Sequence, residues 1–570
     1  MKTWKTDEPV RWMRRIGLVG QKPSVAIFFF FAAFYYFTNA GWYKAGDEFF
    51  MIQVARQMVS KGRIGFEVKE LPQELYYEEY IIKGPDGLYY TKWGLGQSLV
   101  EVPFIFLHRL TTSGDLPTYM GEGGPGAPYH SEWMFLILCP SLISAVGCVL
   151  VYCLGRRLGF SERVSMVLCV VYGLCTMAWP YSKSLMSEGT LNVAMLGGVY
   201  SAVRYVGEKR WHWVAISGAC MGFAVVTKIT SLLIAPLIVA YILASLRTKE
   251  SLRRVLLFFA PPFCAFLVLQ AYHNFTRYGS FWEWGYNAGR DALGFCTPLT
   301  VGLWGLLASP GKSFFLYAPT TLLGLLCLRS FLRHRRKEAL LGLSICVVFT
   351  LLHARWWAWA GDWAWGPRFL LVITPYILLP CGILLERWNR LRRLQRLLAM
   401  ALIFLSLGIQ FLGVSVHPFS YTEVRARALG QLMSPGIDFG SYRGWYTESA
   451  LAHFSPLFSH IAGNFWLCKH MYVDYDLWGD VPWKSLGNFD LEKPMWVRGN
   501  RTTPFWWPVG IPLRAPSSGH LVRSLAVVNF LVVLWFGLGL VRLFRNRSHE
   551  RLPGSSYLFS TVLGSQGKDK

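Results

Sequence analysis

Charge is what this chain has least of. Only 16% of its 570 residues are Asp, Glu, Lys or Arg, 53% are hydrophobic, and the mean hydropathy is +0.32. A soluble fold of this length needs more polar surface. The composition therefore excludes a string of water-soluble domains and leaves an all-α polytopic membrane protein. Missing too is any stripe of Lys and Arg able to track a nucleic-acid backbone. The net charge of +24 sits in short basic clusters between apolar runs, so no nucleic acid is expected as a partner. The 12 cysteines include no C-x-x-C pair. Most fall inside apolar runs (Cys139, Cys148, Cys153, Cys169, Cys175, Cys220), with Cys296 and Cys468 outside them, so neither a zinc site nor a disulfide framework is implied. No small-residue cleavage site follows the first apolar run, VAIFFFFAAFYYFT at 25–38, which reads as a retained span. There is no internal repeat or low-complexity tract, and only the polar tail 548–570 is expected to be disordered.

What is there is a ladder of apolar runs. Twelve spans are expected at 24–40, 133–153, 164–180, 188–206, 212–227, 230–246, 255–272, 314–330, 339–354, 368–385, 398–415 and 521–541. Segments 1–23, 154–163, 204–211, 247–254, 329–338, 386–397 and 542–570 hold 32 of the 57 Lys and Arg, and twelve crossings put all seven on one side. By the positive-inside rule that side is cytoplasmic. Segments 41–131, 273–313 and 416–520 then lie outside. A pure transporter concentrates its polar chemistry at the bilayer midplane between short loops, whereas here polar residues gather at the outer rim. The organisation expected is a membrane core over 1–415 with the first outer loop at 41–131, an extracytoplasmic domain over 416–520, and a last span with a cytoplasmic tail over 521–570.

Two adjacent carboxylates, Asp47 and Glu48, stand where the chain leaves its first span, in YKAGDEFFMIQVARQMVSKG at 43–62. Carboxylates beside hydrocarbon are costly, so they must cap something or do something. At about 100° per residue Phe50, Met51, Val54, Ala55, Met58 and Val59 share one half of a helix, with Gln53, Arg56, Gln57 and Ser60 opposite. This predicts an interfacial helix from Glu48 to about Lys61, stopped by Gly62, with Asp47 at its N-cap. Capping by Asp47 and dipole complementation by Glu48 account for the pair on helix grounds alone. A second aromatic and basic stretch, YYTKWGLGQSLVEVPF at 89–104, leads into another helix.

An acidic pair after the first span, A-R-x-M within a short helix, a glycine, and later Y-x-K before a second lateral helix resemble the GT-C membrane glycosyltransferases, in the protein O-mannosyltransferase and lipid A aminoarabinose transferase branch. YHNFTRYGSFWEWGYN at 272–287 and GDWAWGPRFLLVITP at 361–375 resemble segments of bacterial members. The resemblance covers most of the first 385 residues in order and topology and is strongest in the first loop. One feature departs from it: Lys92 is followed by Trp93 and Gly94 where the family commonly has two prolines.

The resemblance implies a GT-C-like bundle with interfacial helices in the first outer loop. It implies a polyprenyl-phosphate sugar donor, a lipid, glycan or protein acceptor, and a bacterial inner membrane with the site facing the periplasm or exterior. A first-loop acid is implied at the catalytic centre. Transfer from a lipid-phosphate sugar needs a base for the acceptor and positive charge for the departing phosphate. It needs no protonating acid, because phosphate already leaves well, and this separates it from the carboxylate pairs of glycosidases. A single displacement inverts the anomeric centre. Asp47 is the expected base, Glu48 an orienting, acceptor-binding or metal-holding neighbour, and Glu188 in SLMSEGTLN a second acid, or else a dipole-satisfied carboxylate behind a Ser187 cap. Lys92 and Arg368 are the phosphate candidates on a face where positive charge is sparse, with Arg368 otherwise an interfacial anchor beside Trp365 and Lys228 otherwise a turn lysine. Tyr90, Trp93, His273 and Trp365 are candidate substrate-lining residues. The aromatic cluster RWWAWAGDWAW at 355–365 serves equally as an interfacial belt, and His273, with Arg277 and Glu283, as a structural histidine. No cofactor is assigned, and a divalent metal stays open as a partner for the phosphate.

GLLASPGKS at 305–313 imitates a phosphate loop but leaves five residues between its glycines where four are required. It also falls on the outer side, away from ATP. Sequons stand at Asn274 and Asn500, both expected to face outward. The segment 416–520, with Asp438, Arg443, Asp474 and Asp476, reads as a cap over the outer rim or a packing lid. A transporter or flippase of lipid-linked intermediates shares this topology and is the alternative function.

Overall fold

A computed structural model describes residues 22–39, 46–67, 80–111, 131–286, 289–361, 364–416, 452–472, 506–508 and 519–546, with 421, 425 and 450. The N-terminal basic cluster, Asp362, Asp438, Arg443, Asp474, Asp476, Asn500, the polar tail and most of 416–520 lie outside the described residues.

Each expected apolar run coincides with helix. In chain order these are α1 (Pro23–Phe37), α2 (Gly46–Lys61), the hairpin β1 (Ile81–Lys83) and β2 (Tyr89–Thr91), α3 (Gly96–Thr111), α4 (Met134–Arg157), α5 (Glu162–Leu174), α6 (Ser187–Glu208) and α7 (Trp211–Thr227). There follow α8 (Ile229–Leu246), α9 (Lys249–Tyr278), α10 (Leu299–Leu307), α11 (Thr321–His334), α12 (Arg336–Arg355), α13 (Arg368–Glu386), α14 (Arg393–Ser415), α15 (His460–Tyr472) and α16 (Gly519–Asn546). Among the described residues seven helices are long and apolar enough to cross a membrane: α4, α8, α9, α12, α13, α14 and most of α16. At 1.5 Å per residue α1 and α7 are shorter than a hydrocarbon core, although their composition is apolar.

Lipid is the solvent these surfaces require. Leu256, Leu257 and Val268 on α9, Leu397 and Phe404 on α14, and Val527, Leu531 and Leu538 on α16 stand open along helix faces, an arrangement that water would penalise. α1 packs between α4 and α16, α6 against α7, and α7 against α9, enclosing one apolar core.

The basic segments meet at one end. Arg157 and Arg204 pair with Glu208, Arg254 donates to the Lys209 carbonyl and Arg335 to the Leu158 carbonyl (2.9 Å). Arg163 donates to the Phe544 carbonyl (2.7 Å), and the Ser161 amide donates to Glu386 (2.5 Å). Five of the seven basic clusters and the head of a sixth thus share one face, as their alternation with apolar runs predicts.

The first outer loop is a platform at the opposite end. β1 and β2 pair antiparallel across an Asp86–Gly87 turn, where Asp86 accepts from the Leu88 amide and Gly87 takes a positive φ of 82°. α2 and α3 lie against each other, joined by Ser98 Oγ to the Met51 carbonyl (2.8 Å) and Arg109 to the Val59 carbonyl (2.5 Å). α2 begins at Gly46, so Asp47 sits in the first turn instead of capping it, and Gly62 ends it at φ +64°. The helix is not surface-lying as its amphipathic pattern predicts. Gln53, Arg56 and Gln57 are buried along with the apolar face, because two apolar clusters, one around Phe50 and Val54 and one around Ile52 and Ala55, close on it from different sides.

Candidate active site

The first turn of α2 is clamped to the chain entering α6. Glu48 is fully buried and accepts hydrogen bonds from the Leu185 amide (3.0 Å) and the Ser184 hydroxyl. That fixes Asp47, one residue earlier, beside the first turn of α6, where Glu188 stands. The N-cap of α6 is Met186 with extended backbone, not Ser187. Glu188 is held by cations: Lys228 Nζ lies 3.0 Å and Arg368 Nε 3.7 Å from its Oε1. The same Arg368 guanidinium reaches Asp47 Oδ2 at 3.3 Å. Asp47, Arg368, Glu188 and Lys228 therefore form one contiguous chain of alternating charge, drawn from four separate elements.

Each cation is placed by local backbone chemistry. Lys228 is the extended residue between α7 and α8, and its side chain crosses the Phe369 ring at 4.3 Å. Arg368 opens α13 behind a turn bolted down by its carbonyls. Lys312 donates to Ala364 (2.6 Å) and Gly366 (3.3 Å), and the Tyr181 hydroxyl donates to Trp365 (3.0 Å). In that turn Gly361 has φ +71° and lies against the Arg368 stem, where a Cβ would collide. Phe369 is the aromatic floor under both cations, with Arg368 at 5.0 Å and the His353 ring stacked on it at 4.8 Å.

Lys92 belongs to a second pair. It is ion-paired with Asp291 and faces the neighbouring Tyr80 and Trp93 rings, each 5.5 Å away. The other Asp291 oxygen accepts from Trp357 Nε1 (3.1 Å). Phe50, Tyr80 and Trp93 form a cluster of nearly parallel rings, each 5.5–5.8 Å from the other two, which ties this pair to α2 within one turn of Asp47. Tyr286 lies within electrostatic reach of both Asp291 and Asp47, and burial pushes its phenol above the usual tyrosine range. Gly94 and Gly96 run against the Val226–Thr227 backbone so closely that a Cβ on either would clash. They bring the Lys92 strand to the end of α7 next to Lys228.

The remaining candidates fall elsewhere. Tyr90 hydrogen-bonds Asp86 (2.5 Å) within the hairpin. His273 and Arg277 are buried on α9, and Arg277 donates to the Thr91 (2.8 Å) and Trp93 (3.1 Å) carbonyls, so it supports the Lys92 strand from below. Trp365 is buried edge-on against Tyr317 (5.0 Å), and Trp359 is buried too, so these two pack as core rather than as an interfacial belt. Asn274 does not face outward: its side chain is buried in α9, accepting from Gln270 and Arg277 and donating to the Phe281 carbonyl. Among the described residues no cluster of three or more His, Cys, Asp or Glu is arranged to hold a metal ion.

Of the three carboxylates, Glu48 and Glu188 are closed off, whereas Asp47 keeps 26% of its side chain open. It alone can meet an incoming group. The cations beside it already have carboxylate partners, so an anion entering the site must exchange with a carboxylate.

Residues 130–272 match the sequence family described as dolichyl-phosphate-mannose-protein mannosyltransferase. That match covers 143 of the 570 residues, and it agrees with the resemblance carried by the first outer loop. The matched part runs from the approach to α4 through most of α9 and carries Glu188 and Lys228. Two solved structures are similar in outline. One is ArnT from Cupriavidus metallidurans bound to undecaprenyl phosphate, at 14% identity and TM-score 0.42, over 95% of this chain and 78% of that one. The other is the archaeal oligosaccharyltransferase AglB from Archaeoglobus fulgidus in complex with an inhibitory peptide and a dolichol-phosphate, at 12% identity and TM-score 0.47, over 76% of this chain and 60% of that one. No curated protein sequence matches the chain.

Sequence reasoning missed Asp291, Ser184, Phe369, His353 and the role of Lys312. Lys312 carried a signal, a lysine inside a Gly- and Ser-flanked turn, but the phosphate-loop pattern it imitates points to a different use.

Proposed function

We propose that this chain moves a sugar from a polyprenyl-phosphate-linked donor to a hydroxyl or amine of a lipid, glycan or protein acceptor, inverting the anomeric centre, with Asp47 as general base. The observation that carries the reading is the placement of Asp47, the one open carboxylate of the three, 3.3 Å from a guanidinium that also faces Glu188. In the reaction the acceptor's proton passes to the Asp47 carboxylate and its heteroatom bonds to the anomeric carbon. The bond from that carbon to the phosphate oxygen breaks, and the electron pair leaves with a polyprenyl phosphate monoester. As the phosphate arrives, Arg368 turns from Asp47 to the phosphate, which neutralises the leaving group and frees the base in one exchange. Lys228, fixed on Glu188, keeps that corner positive when Arg368 moves. Glu48 is a positioning residue, since the Ser184 and Leu185 donors tie it to the α6 approach.

The positive-inside distribution supports a cytoplasmic basic end and an α2–α3 platform at the outer leaflet, in this reading that of a bacterial inner membrane. There a donor anchored in lipid and an acceptor from the aqueous side meet. The test is to incubate purified protein in detergent with several polyprenyl-phosphate sugars and candidate acceptors, and to determine which donor is consumed and with what anomeric outcome. Consumption with inversion supports the proposal. Retention, or no consumption with any acceptor, refutes it, and translocation of the lipid without transfer favours the flippase.

A further inference from the structure

Resting on that reading, we propose that Asp291 is a counter-ion latch on the donor-phosphate site: its carboxylate occupies the position a phosphate takes on Lys92, and its return expels the polyprenyl phosphate product.

Among the described residues the Lys92 ammonium is ion-paired with the Asp291 carboxylate and faces the Tyr80 and Trp93 rings. The two rings, 5.7 Å apart, close off one side of the ammonium and offer no hydrogen-bond acceptor there. An anion reaching Lys92 therefore competes directly with Asp291. The pair is well shielded, with 16% and 7% of the two side chains exposed, so the competition takes place where charge is poorly screened by water.

The carboxylate can let go at low cost. Its second oxygen accepts from Trp357 Nε1, so a released Asp291 still has a donor and is not orphaned in a buried place. Its carrier is a short turn, Gly289–Leu293, followed by Gly294 at φ +56°. Beyond Gly294 the chain is fixed to α12, with the Trp357 amide donating to the Gly294 carbonyl (2.9 Å) and the Thr297 amide to the Arg355 carbonyl (3.0 Å). The turn is thus anchored at its base, and its acid bridges to a different loop.

A donor phosphodiester carries one negative charge, and the product monoester carries more near neutrality. Without a competitor, Lys92 would hold product more tightly than donor, and turnover would stall on release. A resident carboxylate weakens the hold on both by the same factor, which brings the tightly held product within reach of release.

The experiment measures binding of undecaprenyl phosphate, and separately of inorganic phosphate, to the full-length protein in detergent, as wild type and as Asp291→Asn, Lys92→Ala, the double variant and Trp357→Phe. Asp291→Asn is expected to tighten undecaprenyl phosphate about tenfold and to leave the gain absent on the Lys92→Ala background. Trp357→Phe, which removes the competing hydrogen bond and strengthens the ion pair, is expected to weaken binding severalfold, and it supplies a test of opposite sign if Asp291→Asn does not fold. Tightening of inorganic phosphate to the same degree identifies the headgroup alone as the ligand, whereas tightening of the lipid only shows that the chain is also gripped. Unchanged or weaker lipid binding by Asp291→Asn, or equal tightening without Lys92, overturns the latch. No binding by the wild type overturns the proposed function along with it.

Discussion

Lys228→Met isolates the electrostatic logic of the site. Glu188 keeps only 4% of its side chain exposed, and its closest cation is Lys228 at 3.0 Å. Removing one partner of a buried ion pair costs about 3–5 kcal/mol, because the other charge is left uncompensated. Here Arg368 remains 3.7 Å from the same oxygen, so the loss should fall at about 2–3 kcal/mol. Arg368 then carries Glu188 alone and is drawn from Asp47, so sugar transfer should fall as well. Adding Glu188→Gln removes the stranded charge. The double variant should recover most of the lost stability, with a coupling energy of about 1–2 kcal/mol. Unfolding in mixed micelles, followed by tryptophan fluorescence, gives all four corners of the cycle. A Lys228→Met protein as stable as wild type, or a double variant less stable than the single, would refute the reasoning.

Two further predictions concern the same region. Arg368→Lys replaces a planar fork with a point charge that cannot face Asp47 and Glu188 together. It should lower transfer about 100-fold while raising the donor KM, read by steady-state kinetics. Glu101, buried on α3, has its carboxyl pushed well above the usual carboxylate range by burial, with nearby Glu48 adding to the shift and Gln97 and Arg56 opposing it. A raised folded pKa means the folded state holds a proton that the unfolded chain has released, so this stability is complete at acid pH and is lost as pH rises through the folded value. Glu101→Gln keeps the Gln97 contact without a titrating group. Its melting temperature should lose that decline with rising pH, and an unchanged pH profile would exclude Glu101 as its source.

Local pattern carried much of the architecture. Apolar runs became helices within a few residues of their expected ends, Gly62 stopped α2, and basic clusters hundreds of residues apart met on one face, because each depends on hydrophobic period or charge sidedness. The identity of the acids and cations at the outer rim was also legible, since charge beside hydrocarbon is scarce. Their pairing was not. Asp47 and Arg368 are separated by 321 positions and Lys92 and Asp291 by 199, and nothing local to either partner encodes the other. Lys228 looked like a turn lysine until α6 supplied Glu188. Arg56 and Gln57 marked a wet helix face by periodicity, yet the fold closed apolar clusters around them. Lys312, read as a rejected phosphate loop, proved to be the cation that fastens the turn before Arg368.

The central claim is that Asp47 takes the acceptor's proton, and Asp47→Ala in the purified-protein transfer assay tests it most directly. The account predicts a folded variant that binds polyprenyl phosphate at least as tightly as wild type, since Arg368 loses a competing carboxylate, and that transfers sugar about 100- to 10,000-fold more slowly. Transfer at the wild-type rate, or a loss of activity fully matched by a loss of lipid binding, would contradict it.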